Sequence, residues 1–566
     1  MAGKILTPLA LWKDFHIDST PTFEIIEEKK AKGILVSEIY VHGRNTSDGQ
    51  VRIHCVWARK AKADISPAVI IASDLKKGAD RNFAVYLAGK GYVALAVDLG
   101  GKISEDPLEK GRYTVYPESL SYANFDETEE NTIKIKGEVT ETRWYERGVA
   151  LRYATAFLRA QKMVSDVGAI GVFGAGNYLW YAAAAENFKC AVFIGNAGWK
   201  GYKGISKFGD TPEPQFGDSA LKFLAGIDAQ AYATHIKCPT LILSPTNSYD
   251  YDMDRASDTV SRINDKFYSA LDYSVGGRQE VDNVCFNDCV NFLEEFLLKK
   301  GDGKSLPFAP SVKCGIKDGN AVLEVIPDKR NLKSVCAFAA EEEVRPYLRS
   351  WKKINDVKEG KDGTYVFSYK PYCKSGKIFV FARALYENGS GVSSVVLCRN
   401  FAETETESSG KERVLFSSQI SEDITDFYDA EECRGDIFGL KAEKGKTVSI
   451  GNGPMDMHGL SSKCGTLSFK INEQKYKPLD GSMFMFDVCV KSGGNFYVKL
   501  ITDYFGNKTE YVAAVKTFGG DIWQNVKLEL GNFKTKDGMG IKSYDKIEAM
   551  EFSADGEFLI NNFLWV

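Results

Sequence analysis

Two stretches of this chain, AVIIASD (68–74) and YVALAVDL (92–99), are apolar at nearly every position. A strand with one wet face alternates apolar and polar residues, so unbroken apolar runs of this length call for burial on both faces. A parallel sheet covered by helices provides that burial. The segment between them, ADRNFAVYLAGKG (79–91), spaces Phe83, Tyr86 and Leu87 at i, i+3 and i+4 and closes on Gly91, which predicts a helix with its C-terminal stop. The alternation runs from about residue 35 to 300. VRIHCVWAR (51–59) precedes it, and a polar insertion (103–140) interrupts it. A long amphipathic segment, TRWYERGVALRYATAFLRA (142–160), then leads to IGVF, CAVFIGNAG, CPTLILSPT, FYSALDYSV and a closing helical DCVNFLEEFLLKK. The expected fold for residues 1–300 is α/β, with a doubly wound, mostly parallel sheet.

The pattern then changes period. After the Gly/Pro-containing GDGKSLPFAP (301–310), short alternating runs take over: AVLEVIP, TYVFSYK, and KIFVFARALYENGSGVSSVVL, which folds back at Asn388-Gly389. Residues 308–402 are expected to form an immunoglobulin-like or fibronectin-like sandwich. A polar ETETESSGKE (403–412) separates them from GTLSFKI, FMFDVCV, NFYVKLITDY, QNVKLELGNF, KIEAMEFSA and EFLINNFLWV. That series predicts a second β-sandwich of jelly-roll type over 413–566. A length of 566 residues accommodates three such domains.

Composition removes several function classes. Lys plus Arg (72) nearly balances Asp plus Glu (76), without a basic run of the kind nucleic-acid binders carry. No apolar stretch reaches the ~18 residues of a membrane span. The N-terminal MAGKILTPLALWKDF has a short apolar segment broken by Pro8, unlike a secretory signal. The 12 cysteines are scattered singly, which suits reduced thiols and a cytoplasmic location. Cys285 and Cys289 share a helical face but have no neighbouring His or Cys in sequence, so they are expected in a core rather than on a metal. Gly174-x-Gly176 is a fragment of a dinucleotide fingerprint whose third glycine is Leu179. No cofactor and no metal are expected.

The stretch IGVFGAGNYLWYA (170–182) joins a buried strand to a helix through small residues, the sequence form of a nucleophile elbow. Together with YPESLSYANF (116–125), WYERGVALRYATAFLRA (144–160) and PTLILSPTNSYDYDMDR, it makes residues 30–300 resemble the dienelactone-hydrolase and acetyl-xylan-esterase branch of the α/β-hydrolases. The resemblance implies a Ser-Asp-His triad in that chain order, acting on esters, often of carbohydrates.

Position by position, the residues depart from that pattern. Counting glycines puts Gly176 at the serine position, flanked by Gly174 and Asn177. Glycine has no nucleophile to offer. The acid falls on Ser248, with Asp250, Asp252 and Asp254 nearby, and the base falls on Gly277-Arg278. The five histidines are His16, His42, His54, His235 and His458, so none lies between 236 and 457 where the base belongs. The loop expected to supply oxyanion donors reads Ser73-Asp74-Leu75-Lys76, with a carboxylate where developing negative charge would sit.

The last domain resembles galactose-binding-like carbohydrate-binding modules, which would place Trp523, Tyr504 and Tyr511 against a sugar face. The expectation is therefore a pseudo-esterase that binds or scaffolds, with a glycan or protein partner, or a second copy of itself. Two alternatives stand beside it: an ester hydrolase using relocated carboxylates such as Asp250 or Glu118, and a structural subunit of an oligomer or filament.

Overall fold

The computed structural model describes residues 4–62, 64–102, 112–120, 125–127, 133–210, 212, 214–278, 280–430, 448–462 and 465–566. Residues 103–111, 121–124 and 128–132 of the polar insertion expected at 103–140, which include part of the YPESLSYANF stretch, lie outside them.

The N-terminal region is built on one nine-stranded sheet. Its strands are β1 (Phe23–Ala31), β2 (Ile34–Asn45), β3 (Gln50–Lys60), β4 (Ser66–Ala72) and β5 (Val93–Val97). A small separate hairpin follows, β6 (Phe125–Glu127) with β7 (Ile133–Ile135). Then come β8 (Val164–Val172), β9 (Ala191–Ile194), β10 (Thr240–Pro245) and β11 (Ser269–Ser274). The spatial order is β1-β2-β3-β5-β4-β8-β9-β10-β11. Pairing is antiparallel through β1, β2, β3 and β5, then parallel from β5 to β11. The apolar runs read from sequence are the central strands β4 and β5, buried along their length.

Helices cover both faces, as the double burial requires. Helix α1 (Pro8–Trp12), α3 (Arg143–Arg159), α4 (Gly176–Ala185), α5 (Asp218–Gly226) and α6 (Met253–Arg262) contribute to one core. Helix α2 (Arg81–Lys90) and α7 (Asn283–Leu293) contribute to the other. The ends of these helices follow ordinary capping chemistry. Asp80, Thr142 and Asp282 each accept a backbone N–H of the first turn, and Gly91 closes α2 in the left-handed conformation.

Beyond residue 310 every sheet is antiparallel, in keeping with β-sandwiches. A four-stranded and a five-stranded sheet pack over Leu323, Phe367, Ile378 and Val380. The hairpin at Asn388-Gly389 forms, with Gly389 at φ +79°. After residue 413 a six-stranded and a five-stranded sheet enclose Phe484, Phe486, Phe496, Phe552 and Ile560, and the chain's last strand pairs centrally. Among the described residues no helix is long and apolar enough to cross a membrane.

Candidate functional site

In an open parallel sheet, ligands and reacting groups gather at the carboxyl ends of the strands. In this sheet that edge has two halves, one largely filled, with a small pocket lined by Ser248, Asp250, Asp252 and Tyr347, and one hollow.

The filled half begins at the corner between β8 and α4. The residue that turns the chain is Phe173, at φ +45°, and not Gly176, which sits at φ −57° in the first turn of the helix. The corner therefore lies three residues earlier than glycine counting places it, and its pattern is Gly171-x-Phe173-x-Ala175. The small residues are needed where strand and helix touch: a Cβ at Gly171 would lie 2.8 Å from the Gly176 Cα, and one at Gly176 would lie 2.7 Å from the Asn196 Cβ. Asn196 holds the corner, donating to the Phe173 carbonyl (2.9 Å) and the Asn177 side chain (3.0 Å) and accepting from the Trp180 indole (3.2 Å). The Phe173 ring is buried and stacks on Tyr251 at 5.5 Å, while Leu75, from the loop after β4, closes over Gly174. In that loop Ser73 Oγ accepts from the Asp80 amide and the Asp74 carboxylate accepts from Lys76 N.

The loops after β10 and β11 adjoin, Asn247 N donating to the Gly277 carbonyl at 2.9 Å. Both are covered by the later regions of the chain. Asn247 donates its amide to the Arg349 carbonyl at 2.6 Å. Arg349 makes a fully buried two-point ion pair with Asp254 (2.6 and 2.7 Å), and its guanidinium lies 3.7 Å from the Phe379 ring centre. Ser248 is buried, and its Oγ has no hydrogen-bond partner among the described residues. Asp252 caps α6; burial and the neighbouring Asp254 push its carboxyl up to about 6. Burial raises Asp250 too, but Lys203 at 3.3 Å and Lys200 outweigh it and hold the carboxyl low.

Arg278, at the expected base position, lies 5.4–5.7 Å from the ring centres of Tyr428, Phe469, Tyr504 and Phe505, all beyond residue 413. Gly276, at φ +72°, lies so close to Thr425 that a Cβ there would stand 2.6 Å from its carbonyl oxygen. Tyr249, Tyr347 and Phe505, one from each region, form a ring cluster with centroid separations of 4.5 to 5.0 Å.

The other residues singled out in the sequence do not converge. Glu118 is exposed on a short 3-10 turn (Glu118–Leu120), away from Asp250. His16 and His42 are on the surface side of the fold, His54 is buried between strands, and His235 ends a 3-10 segment at the opposite end of β10. His458 pairs with Glu422 at 2.5 Å. Tyr504 belongs to the rings around Arg278, and Tyr511 is half-buried against the core of its own sandwich. The Trp523 ring packs under Gly453 and Gly459 while its indole donates to the Pro454 carbonyl.

Cys285 and Cys289 are core residues of α7, as expected, but Cys285 also meets Asp272 and Asp288, the three ligand atoms lying within 4.8 Å. A cation is already there. Arg383 donates to Asp272 and Asp282 and approaches the Cys285 sulfur. Burial, then Asp272, raises Asp288 well above the usual carboxyl range. This is a second buried ionic tie between the α/β sheet and the residues that follow it.

The hollow half of the edge was not anticipated as a site. Beyond β5 and beside the start of α3 lies a cavity of about 640 Å³ whose lining includes Lys102, Tyr113, Tyr116, Arg143, Glu146 and Arg147. Its one sequence signal is Arg143-x-x-Glu146-Arg147, which places three charged residues on one helical face ahead of an apolar run.

No protein-family model matches the chain, and no curated protein matches it by sequence. Solved structures do. Acetyl xylan esterase from Paenibacillus sp. R4 is 15% identical, covering 51% of this chain and 91% of its own, with a TM-score of 0.36. Acetyl xylan esterase 1 from Thermoanaerobacterium sp. JW/SL YS485 is 14% identical, covering 52% and 95%, with a TM-score of 0.37. Est1E from Butyrivibrio proteoclasticus is 11% identical, covering 46% and 98%, with a TM-score of 0.30. The first two are acetyl xylan esterases by name, and each match spans about half of this chain. The strand order and the helices on both faces described above are those of an open, doubly wound α/β sheet.

Proposed function

We propose that this chain is a pseudo-esterase that binds or scaffolds: an α/β-hydrolase-type domain (1–300) whose catalytic edge has become the seat of two β-sandwich domains (308–402 and 413–566). One observation carries the reading. Where a hydrolase of this kind presents its nucleophile, this chain presents the buried ring of Phe173, stacked on Tyr251. A phenyl ring neither attacks a carbonyl nor is activated by a base. Ser248 and Arg278 support it: each stands at an expected triad position with no triad side chain, Ser248 lining a small pocket with Pro346 and Tyr347 and Arg278 lying among rings from beyond 413.

The test is turnover of an aryl acetate by wild type beside Phe173→Ser. Neither protein should exceed the buffer rate, since a restored hydroxyl still lacks a histidine. Turnover by wild type that Phe173→Ser changes would overturn the reading. Partner and copy number are addressed by glycan pull-down and by light scattering on the full chain.

A second reading, hydrolysis by carboxylates outside the triad, is favoured by Glu146 rather than by Asp250 or Glu118. Glu146 is buried at the cavity, and burial pushes its carboxyl up to about 7 against the pull of Arg44. That is the range in which a carboxyl can exchange protons at neutral pH. Aryl-acetate turnover abolished by Glu146→Gln, with Phe173→Ser unaffected, would establish it.

A further inference from the structure

We infer that the cavity beside α3 binds a small hydroxylated carboxylate, of the chemical class of a uronic acid. Its volume, about 640 Å³, is within the range of small-molecule sites. None of its ten described lining residues belongs to the Phe173 corner or to the loops bearing Ser248 and Arg278, so this inference does not rest on what those positions do, and it shares only Glu146 with the second reading above.

The lining has three kinds of group. The first is cationic: Lys102, Arg143 and Arg147, the latter two at i and i+4 in the first turns of α3. The helix N-terminus adds positive potential in the same place. Arg147 is fixed in position, donating to the Tyr178 hydroxyl at 3.1 Å and to the Gly100 carbonyl at 3.3 Å. A held guanidinium recognises a carboxylate better than a mobile one, because less side-chain freedom is lost on binding.

The second is a single acceptor, Glu146. Its side chain is 1% exposed, and the Arg44 guanidinium stands 2.7 Å from Oε2 as an ion pair. Neither carboxylate oxygen has a hydrogen-bond partner among the described residues. A buried carboxylate oxygen left without a donor costs on the order of 1–3 kcal/mol, so a donor from a ligand is favoured there. A hydroxyl is the neutral donor that also tolerates the neighbouring cations. The third group is aromatic: Tyr113 and Tyr116, the latter with its hydroxyl held by the Leu99 carbonyl at 3.0 Å. Their rings offer flat apolar surface to the C–H face of a ring-shaped polyol. Cations for a carboxylate, an acceptor for a hydroxyl and rings for a C–H face together select a sugar acid over a plain sugar or a plain diacid.

The experiment is calorimetric titration of the full chain at pH 8 with D-glucuronate, D-glucose and succinate. Glucuronate should bind at least about tenfold tighter than either control, a ratio equal to one charge-assisted contact. Arg147→Lys and Glu146→Gln should each weaken glucuronate about tenfold or more, in variants whose melting temperatures confirm that they fold. Equal binding of the three probes, no saturable heat with any of them, or undiminished glucuronate binding by folded Arg147→Lys would overturn the inference.

Discussion

The two halves of the sheet's carboxyl edge are made from the same material and have opposite fates. On the β8–β10–β11 side, Phe173, Tyr251, Leu75 and Arg278 are buried under or against other parts of the chain, and two ion pairs at that border, Arg349–Asp254 and Arg383–Asp272, are sealed from water. On the β5–α3 side, charged groups of similar number surround open space. Charge buried with a partner in place serves as a fastening. Charge buried beside a void, with both carboxylate oxygens of Glu146 short of a hydrogen bond among the described residues, is the setting of the ligand site proposed above. Strand ends favour neither outcome by themselves; the difference comes from which surface the later domains cover.

Breaking the fastenings should have the largest effect. Arg349→Ala strands Asp254 as an unpaired charge with no exposure, and the expected loss is about 3–5 kcal/mol, read as a lower urea midpoint. Asp254→Asn with Arg349→Met should recover much of it, because the pair is then removed as a unit. Arg278→Ala should cost less, about 1–3 kcal/mol, as it empties the ring cage without orphaning a charge. Limited proteolysis in 403–412 should accelerate in that variant if the cage is what seats the last domain.

The hollow half is sharpened by pH. Glu146 binds its proton more tightly in the folded chain, with its carboxyl at about 7, than in the unfolded one. Its contribution to stability is therefore complete below the ordinary glutamate range and is lost as pH rises through about 7. Glu146→Gln should flatten the fall in melting temperature across that window, by an amount equivalent to about 1–3 kcal/mol. Besides the guanidinium of Arg44 and the cavity arginines Arg143 and Arg147, the groups facing Glu146 are Tyr116, Tyr145 and Tyr153, whose hydroxyls burial raises further away from that window. The smallest effect is expected at Asp288→Asn, under about 1 kcal/mol, because burial and the neighbouring Asp272 raise the Asp288 carboxyl well above its usual range, so the amide replaces a group biased towards its neutral form. A loss as large as that of Arg349→Ala would show instead that Asp288 is an ionised member of the tie.

The strand-to-helix corner shows where sequence reasoning slipped. GVFGAG can be read with its turn at 173 or at 176, and glycine counting favours 176 because a phenylalanine at positive φ is disfavoured. The better signal was spacing from the bulky side. Gly171 is the strand residue against which both Gly176 and Leu179 pack. A triad written in sequence is a set of positions, and a shift of three residues changes which residue is judged absent. Ser248 and Gly277-Arg278 lie on loops that touch each other in the fold. The cavity was nearly silent in the sequence. Arg143, Glu146 and Arg147 look like the solvated face of any amphipathic helix, and only the packing of β5 and its following loop against α3 leaves them around a void.

The sequence by itself determined the local and periodic features. Continuous apolar runs demanded a covered parallel sheet, a change to period two marked the antiparallel regions, and the lack of histidine between 236 and 457 left the expected base position empty. Tertiary structure alone decided that Arg278 would sit among four rings from beyond residue 413, that Arg349 and Arg383 would fasten onto Asp254 and Asp272, and that the buried Glu146 carboxylate would lack a hydrogen-bond donor among the described residues. The physical reason is range. Hydrophobic period is written into neighbouring residues, while the partner of a buried charge lies about a hundred residues away and is set by how whole domains dock.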